Sequence, residues 1–128
     1  MILTNKLVCG AKKRPNGQHP PLFGCLPGMI LHNTTYSIAI EAAPDWLRWM
    51  KAFQLPAVMG TGLPVGHKIL RLLTELDNGG VTYSVQLDFS TIADYEAYQA
   101  QHANALQQRI QHRFGGQFIS FDTLLEAV

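Results

Sequence analysis

Hydrophobic and polar residues alternate cleanly in the stretch that follows Met29. Thr34, Tyr36, Ile38 and Ile40 fall on one side of an extended chain, and Asn33, Thr35, Ser37 and Ala39 on the other. The spacing predicts a strand over residues 31–41 with one apolar face. The period then changes. Pro44 and Asp45 suit the first turn of a helix, and Trp46, Leu47, Met50 and Phe53 recur at helical spacing with Arg48 and Lys51 on the other side. Because a residue that precedes proline is disfavoured in the helical region, this helix is expected to stop before Pro56. A second strand is predicted over residues 66–76. The run Asp77-Asn78-Gly79-Gly80 reads as a tight hairpin turn. The return strand over residues 81–89 places Val81, Tyr83, Val85, Leu87 and Phe89 on one face. Ser90 is the expected cap of a long amphipathic helix carried by Ile92, Tyr95, Tyr98, His102, Leu106, Ile110 and Phe114 and closed at Gly115-Gly116. A last strand is expected over residues 118–124, with Ile119 and Phe121 on one side and Ser120 and Asp122 on the other.

The order strand, helix, strand, strand, helix, strand is the split βαβ arrangement. It predicts an α+β, ferredoxin-like sandwich: a four-stranded antiparallel sheet with two helices on one face. A turn at Asn78-Gly79 would pair Val85 with Leu72 and Leu87 with Leu70 on the covered face. It would pair Ser84 with Leu73, Gln86 with Arg71 and Asp88 with Ile69 on the open one. The open face so derived is mixed, with Ile69 and Leu73 among amides, hydroxyls and charges. Two such faces packed together would make a homodimeric α+β barrel with a polar interior, and a second copy of the chain is the partner expected.

Charge divides the chain. Residues 1–28 hold Lys6, Lys12, Lys13 and Arg14 and no acid, hence +4; residues 29–128 hold six bases and nine acids, hence −3; the sum is the net +1 of the whole sequence. The first segment is rich in Pro and Gly and lacks any period, so residues 1–28 are expected to be a disordered or non-native leader and residues 29–128 a single domain. A domain charge of −3 argues against nucleic acid as a partner. No run of eighteen apolar residues predicts a membrane span, and no secretory signal is recognisable. Both cysteines, Cys9 and Cys25, lie in the leader, which fits a cytoplasmic protein. With His19 they match no zinc spacing, so no metal is expected. Gly60-Thr61-Gly62 lacks the lysine and the context of a phosphate loop, no nucleophile motif is present, and no cofactor is expected.

Candidate ligand contacts are Arg71, Gln86, Ser84, Asp88, Asn33 and Asp122, all assigned to the open face. Arg71 opposite Gln86 could clamp a carboxylate or phosphate. His67 and His102 are the candidate acid–base groups. Trp46 fits the helix-to-sheet core, and Trp49 lies off that stripe. Three readings follow. The leading one is a homodimer that binds a small polar or anionic molecule in the barrel interior. The others are an enzyme of the monooxygenase or isomerase kind, and a purely structural interaction module.

Leu47-Arg48-Trp49-Met50, Gly60-Thr61-Gly62-Leu63, Lys68-Ile69-Leu70-Arg71-Leu72-Leu73, Thr82-Tyr83-Ser84-Val85-Gln86, His102-Ala103 and the segment from Arg113-Phe114-Gly115-Gly116-Gln117-Phe118 to Thr123-Leu124-Leu125-Glu126 together resemble a family of small, mostly Bacteroidetes proteins classed as a domain of unknown function. The likeness runs from about Met29 to Val128. It implies a dimeric α+β barrel, in the wide superfamily that also holds antibiotic-biosynthesis-type monooxygenases. It carries over no catalytic residue.

Overall fold

A computed structural model describes residues 27–74 and 79–128. The expected leader, with Cys9, His19 and Cys25, lies outside the described residues except for Pro27 and Gly28. Strand β1 is Ile30–Ala39, β2 Pro64–Arg71, β3 Gly80–Phe89 and β4 Phe118–Glu126. They form one antiparallel sheet in the order β2-β3-β1-β4. Helical run α1 covers residues 43–59 and α2 residues 92–114. Both cover the same face, where Ile30, Tyr36, Ile38, Val85, Leu87 and Phe89 of the central strands meet Trp46, Met50, Leu55, Val58, Tyr98, Ile110 and Phe114 of the helices. This is the ferredoxin-like α+β architecture that the alternating elements predict.

Both helices carry one turn of π-helix: Met50–Gln54 in α1 and Gln99–Ala103 in α2. Each π turn inserts one residue beyond the α period. The apolar stripe therefore slips. In α1 it runs Trp46, Met50, then Leu55 and Val58; Phe53, expected on the stripe, is 60 % exposed. In α2 the stripe runs Tyr98, Ala103, Leu106, Ile110, Phe114, and His102 falls beside it. The π turn also explains why α1 does not stop before Pro56. Leu55 keeps helical angles (φ −64°, ψ −40°) and its amide reaches back to the Met50 carbonyl. Pro56 then sits in the first turn of the following α segment, Leu55–Met59, where its missing N–H costs little. At α2 the cap is Thr91 rather than Ser90: its Oγ1 accepts from the Asp94 amide at 3.1 Å.

The hairpin register departs from the sequence expectation by three residues. His67 stands opposite Leu87, Lys68 opposite Gln86, Ile69 opposite Val85, Leu70 opposite Ser84 and Arg71 opposite Tyr83. Strand β2 ends at Arg71 and β3 begins at Gly80, and Asp77 and Asn78 of the expected turn lie outside the described residues. Odd shifts exchange faces. Ile69 and Arg71 are therefore on the helix side, with Ile69 packed against the core, while Leu70 shows its side chain on the open face. Strand β4 is likewise reversed: Thr34 faces Asp122, Tyr36 faces Ser120, Thr35 faces Phe121 and Ser37 faces Ile119. Ser120 and Asp122 lie on the helix side and not on the open face, where Ile119 and Phe121 are instead, 76 % and 64 % exposed.

Candidate functional site

Between the sheet and the helices, at the end of β1 that carries His32 and Thr34, the layers do not close. A cavity of about 370 Å³ is left. Its floor is β1 and its neighbours, through His32, Thr34, Tyr36, Val85, Leu87 and Asp122; its roof is α1 and α2, with Gln54, Leu55 and Val58 facing Tyr98, Ala103 and Leu106. Met50 and Gln54 belong to one π turn, Gln99 and Ala103 to the other, and all four line it. Both phase slips thus border the same space, a placement typical of π turns at functional positions.

Strand pairing fixes the polar groups. Asp122 lies opposite Thr34 on β1, and Thr34 Oγ1 donates to Asp122 Oδ1 at 2.8 Å. His32, two residues along β1 on the same face, brings Nε2 to 3.5 Å from that same oxygen. His32 Nδ1 is buried and has no partner. A proton on Nε2 points at the carboxylate, whereas a proton on Nδ1 would be a buried orphan donor, so the neutral ring carries its hydrogen on Nε2 and its lone pair on Nδ1. Burial pulls the His32 pKa below its ordinary value, and Asp122 opposes that by charge and hydrogen bonding. The tyrosines are held neutral: burial raises Tyr36, with the Asp122 charge adding to it, and burial raises Tyr98 to about 12. Tyr95 meets the His32 ring edge-on at 5.4 Å. Gln54 Nε2 donates to the Leu106 carbonyl at 2.9 Å and ties α1 to α2, while its Oε1 is buried and unpartnered.

The expected site residues are thereby separated. Asp122 is in the cavity. Arg71, opposite Tyr83 at the exposed end of β2, and Gln86, opposite Lys68 on the open face, do not meet. Ser84 Oγ donates to Asn33 Oδ1, and Asn33 Nδ2 reaches Thr35 Oγ1 at 3.3 Å, all on the open face. Asp88 shares that face; burial raises its carboxyl, with Lys68 and then His67 pulling the other way. His67 lies in a separate groove of about 560 Å³ with Lys51, Pro56, Met59, Lys68 and Ile69. His102 stands 6.3 Å from the Tyr98 ring and is not part of the cavity wall. Trp46 is core, stacked on Tyr83 at 5.1 Å. Trp49 packs edge-on against Phe114, with the Arg109 guanidinium 5.8 Å from its ring. The residues missed by sequence reasoning are His32, Thr34 and Gln54. Carrying the β1 alternation two residues back from Thr34 places His32 inward; Gln54 is inward only because of the π turn. Among the described residues no three His, Cys, Asp or Glu side chains are gathered as metal ligands, and no helix is long and apolar enough to cross a membrane.

With this geometry in place, comparison with known proteins assigns the chain. Residues 29–128 match the family described as Domain of unknown function (DUF4286), and the chain belongs to that family. No curated protein matches it. Among solved structures it is similar to a dimeric ferredoxin-like protein from an uncultured marine organism, with 10 % identity over 80 % of this chain and 97 % of that one and a TM-score of 0.59. It is similar to a variant of SnoaB, a cofactor-independent oxygenase from Streptomyces nogalater, with 15 % identity over 78 % and 93 % and a TM-score of 0.58. It is also similar to hydroxynitrile lyase from Passiflora edulis, with 11 % identity over 80 % and 98 % and a TM-score of 0.56. At these identities the likeness is one of fold.

Proposed function

We propose that this protein is a small-molecule enzyme of the proton-transfer kind, isomerase-like or oxygenase-like, whose substrate occupies the cavity between sheet and helices and whose general base is His32. The observation that carries this reading is the His32–Asp122–Thr34 arrangement on the helix side of the sheet, with His32 and Thr34 buried and Asp122 reaching them from the exposed edge strand β4. Helix-covered sheet faces are ordinarily apolar, and here a histidine, a carboxylate and a hydroxyl share the wall of one cavity. Asp122 orients the ring and stabilises its charged form; burial keeps the ring neutral and ready to accept a proton. Two fold neighbours being enzymes by name supports the reading without specifying the substrate. The test is deuterium incorporation: ketones and hydroxyketones incubated in D2O with the protein, followed by mass spectrometry. Wild type exchanges a carbon-bound hydrogen, and His32→Gln lowers the rate by about a hundredfold or more. Exchange undiminished in His32→Gln, or none with any compound, overturns it.

The open face supports a second copy of the chain as partner. Ile119, Phe121 and Leu125 line its β4 edge and Leu70 its β2 edge, with Asn33, Thr35, Ser84 and Gln86 between. Apolar margins around a polar centre suit a sheet-on-sheet pair that keeps a wet interior. A ligand in that interior would meet Asn33, Ser84, Gln86 and Asp88 but not Arg71. Sedimentation velocity tests the pairing: wild type sediments as a dimer and Phe121→Glu as a folded monomer. A monomeric wild type removes this part of the reading.

A further inference from the structure

Two residues of the cavity wall, Gln54 and His32, each carry a buried side-chain acceptor with no donor from the chain. Gln54 is only 3 % exposed, and its amide orientation is set by the bond from Nε2 to the Leu106 carbonyl, so the atom left over is the oxygen. His32 is 9 % exposed, and its unpartnered atom is Nδ1, the lone-pair nitrogen of the tautomer that faces Asp122. Buried acceptors left unanswered are costly and uncommon. The two come from different layers, one from α1 and one from β1, and both border the same space. The wall also carries the apolar Met50, Leu55, Val58 and Leu87, and on the α2 side the amides Gln99, Asn104 and Gln107. No lysine or arginine lines the cavity, and Asp122 does, so an anion would find an acid and no counter-charge.

We propose that the cavity selects an uncharged organic molecule bearing two hydrogen-bond donors on an apolar frame, one donor met by Gln54 Oε1 and the other by His32 Nδ1. Gln54 is then the specificity-determining residue of the site. The π turn at Met50–Gln54 gives it that role, since in uninterrupted α-helix the inward phase of α1 would fall on its neighbour Phe53. This specificity rests on the cavity being the ligand site, as the proton-transfer reading also does, but not on His32 acting as a base.

The test uses three molecules of similar frame: trans-1,4-cyclohexanedimethanol, its dimethyl ether and cyclohexanecarboxylate, titrated into the full chain by two-dimensional NMR. Wild type binds the diol about tenfold or more tighter than the diether, the difference expected from leaving buried acceptors unanswered, and the carboxylate weakest of the three. Gln54→Met reduces the preference to about threefold or less. His32→Leu, a second variant that does not depend on the first folding, lowers it as well. Equal binding of diol and diether overturns the proposal, as do a preference for the carboxylate, a preference unchanged in both variants, or no binding by any probe. Loss of the deuterium exchange with the diol preference intact would sink the base and leave this specificity standing. Exchange intact with no diol preference would do the reverse.

Discussion

Along the helix-facing side of β1 the side chains change character halfway. Ile38 and Tyr36 close against aromatic rings: Tyr36 lies 5.0 Å from Trp46 and 5.8 Å from Phe118, and Trp46 stacks on Tyr83. Thr34 and His32, on the same strand and the same face, meet a carboxylate and a cavity, with one ring, Tyr95, against His32. The strand geometry is the same at both ends, so the backbone does not make the difference. The packed end uses large rigid rings that fill space between layers. The hollow end uses shorter polar side chains below and two widened helical turns above. Close packing of rings surrounds Ile38 and Tyr36, and polar chemistry surrounds Thr34 and His32, beyond which Ile30 and Phe89 are core again.

Substitutions can break that division. The largest effect is expected at the packed end: Trp46→Ala removes a fully buried ring and should lower the free energy of unfolding by about 3–5 kcal/mol in urea titrations. A loss under about 1.5 kcal/mol would mean that the packed end is not where the stability lies. Next is Gly80→Ala. A Cβ there would stand 2.6 Å from the Ile38 carbonyl oxygen, where β3 lies against β1, so a loss of about 1–3 kcal/mol is expected in the same assay. At the hollow end Gln54→Met should change stability by no more than about 1 kcal/mol, because the lost bond to Leu106 is offset by removing an orphaned oxygen. A large loss there would make Gln54 a structural strut.

The smallest and most diagnostic effect is in pH. His32 is lowered in the folded state below its ordinary value of about 6.5, so the unfolded chain takes up the proton more readily. Its contribution is full above that value and is lost as pH falls through the window below it, down to the folded pKa. His32→Gln should flatten this slope in stability measured across pH 7 to 5. Asp122→Asn removes the carboxylate that opposes the downward shift and should carry the slope to lower pH. An unchanged slope in His32→Gln would assign it to another group.

Much of this was legible in the residues. Strands β1 and β3 alternate without conflict, so their faces follow from the sequence alone, and the element order dictates the topology. Strands β2 and β4 carry apolar residues at both parities: Ile69 with Leu70 and Leu72, and Phe118 and Leu124 with Ile119 and Phe121. Alternation cannot choose a face there, and the choice falls to the turn. Asn78-Gly79 offered a tight hairpin, yet placing Ile69 against the core selects a register three residues away. That exchange separated Arg71 from Gln86, and the separate pairing of β4 with β1 put Asp122 on the helix side of the sheet. The π turns left no such trace, because a one-residue slip in a helical stripe resembles an ordinary lapse in amphipathicity. His102 and Phe53 looked inward for that reason, and Gln54 did not.

Those turns also make the cavity adjustable by a kind of change that leaves the rest of the fold alone. A helix advances about 100° per residue. Removing one residue from a π turn would restore an unbroken α-helix in which the flanking residues keep their inward phase, so the lining would change only at the turn itself, with the sheet untouched. A single codon lost inside Met50–Gln54 or Gln99–Ala103 would thus remove the widened turn and one lining position while the buried residues on either side of it stay inward. Descendants of this fold can in this way acquire new ligands by counting residues as well as by substituting them.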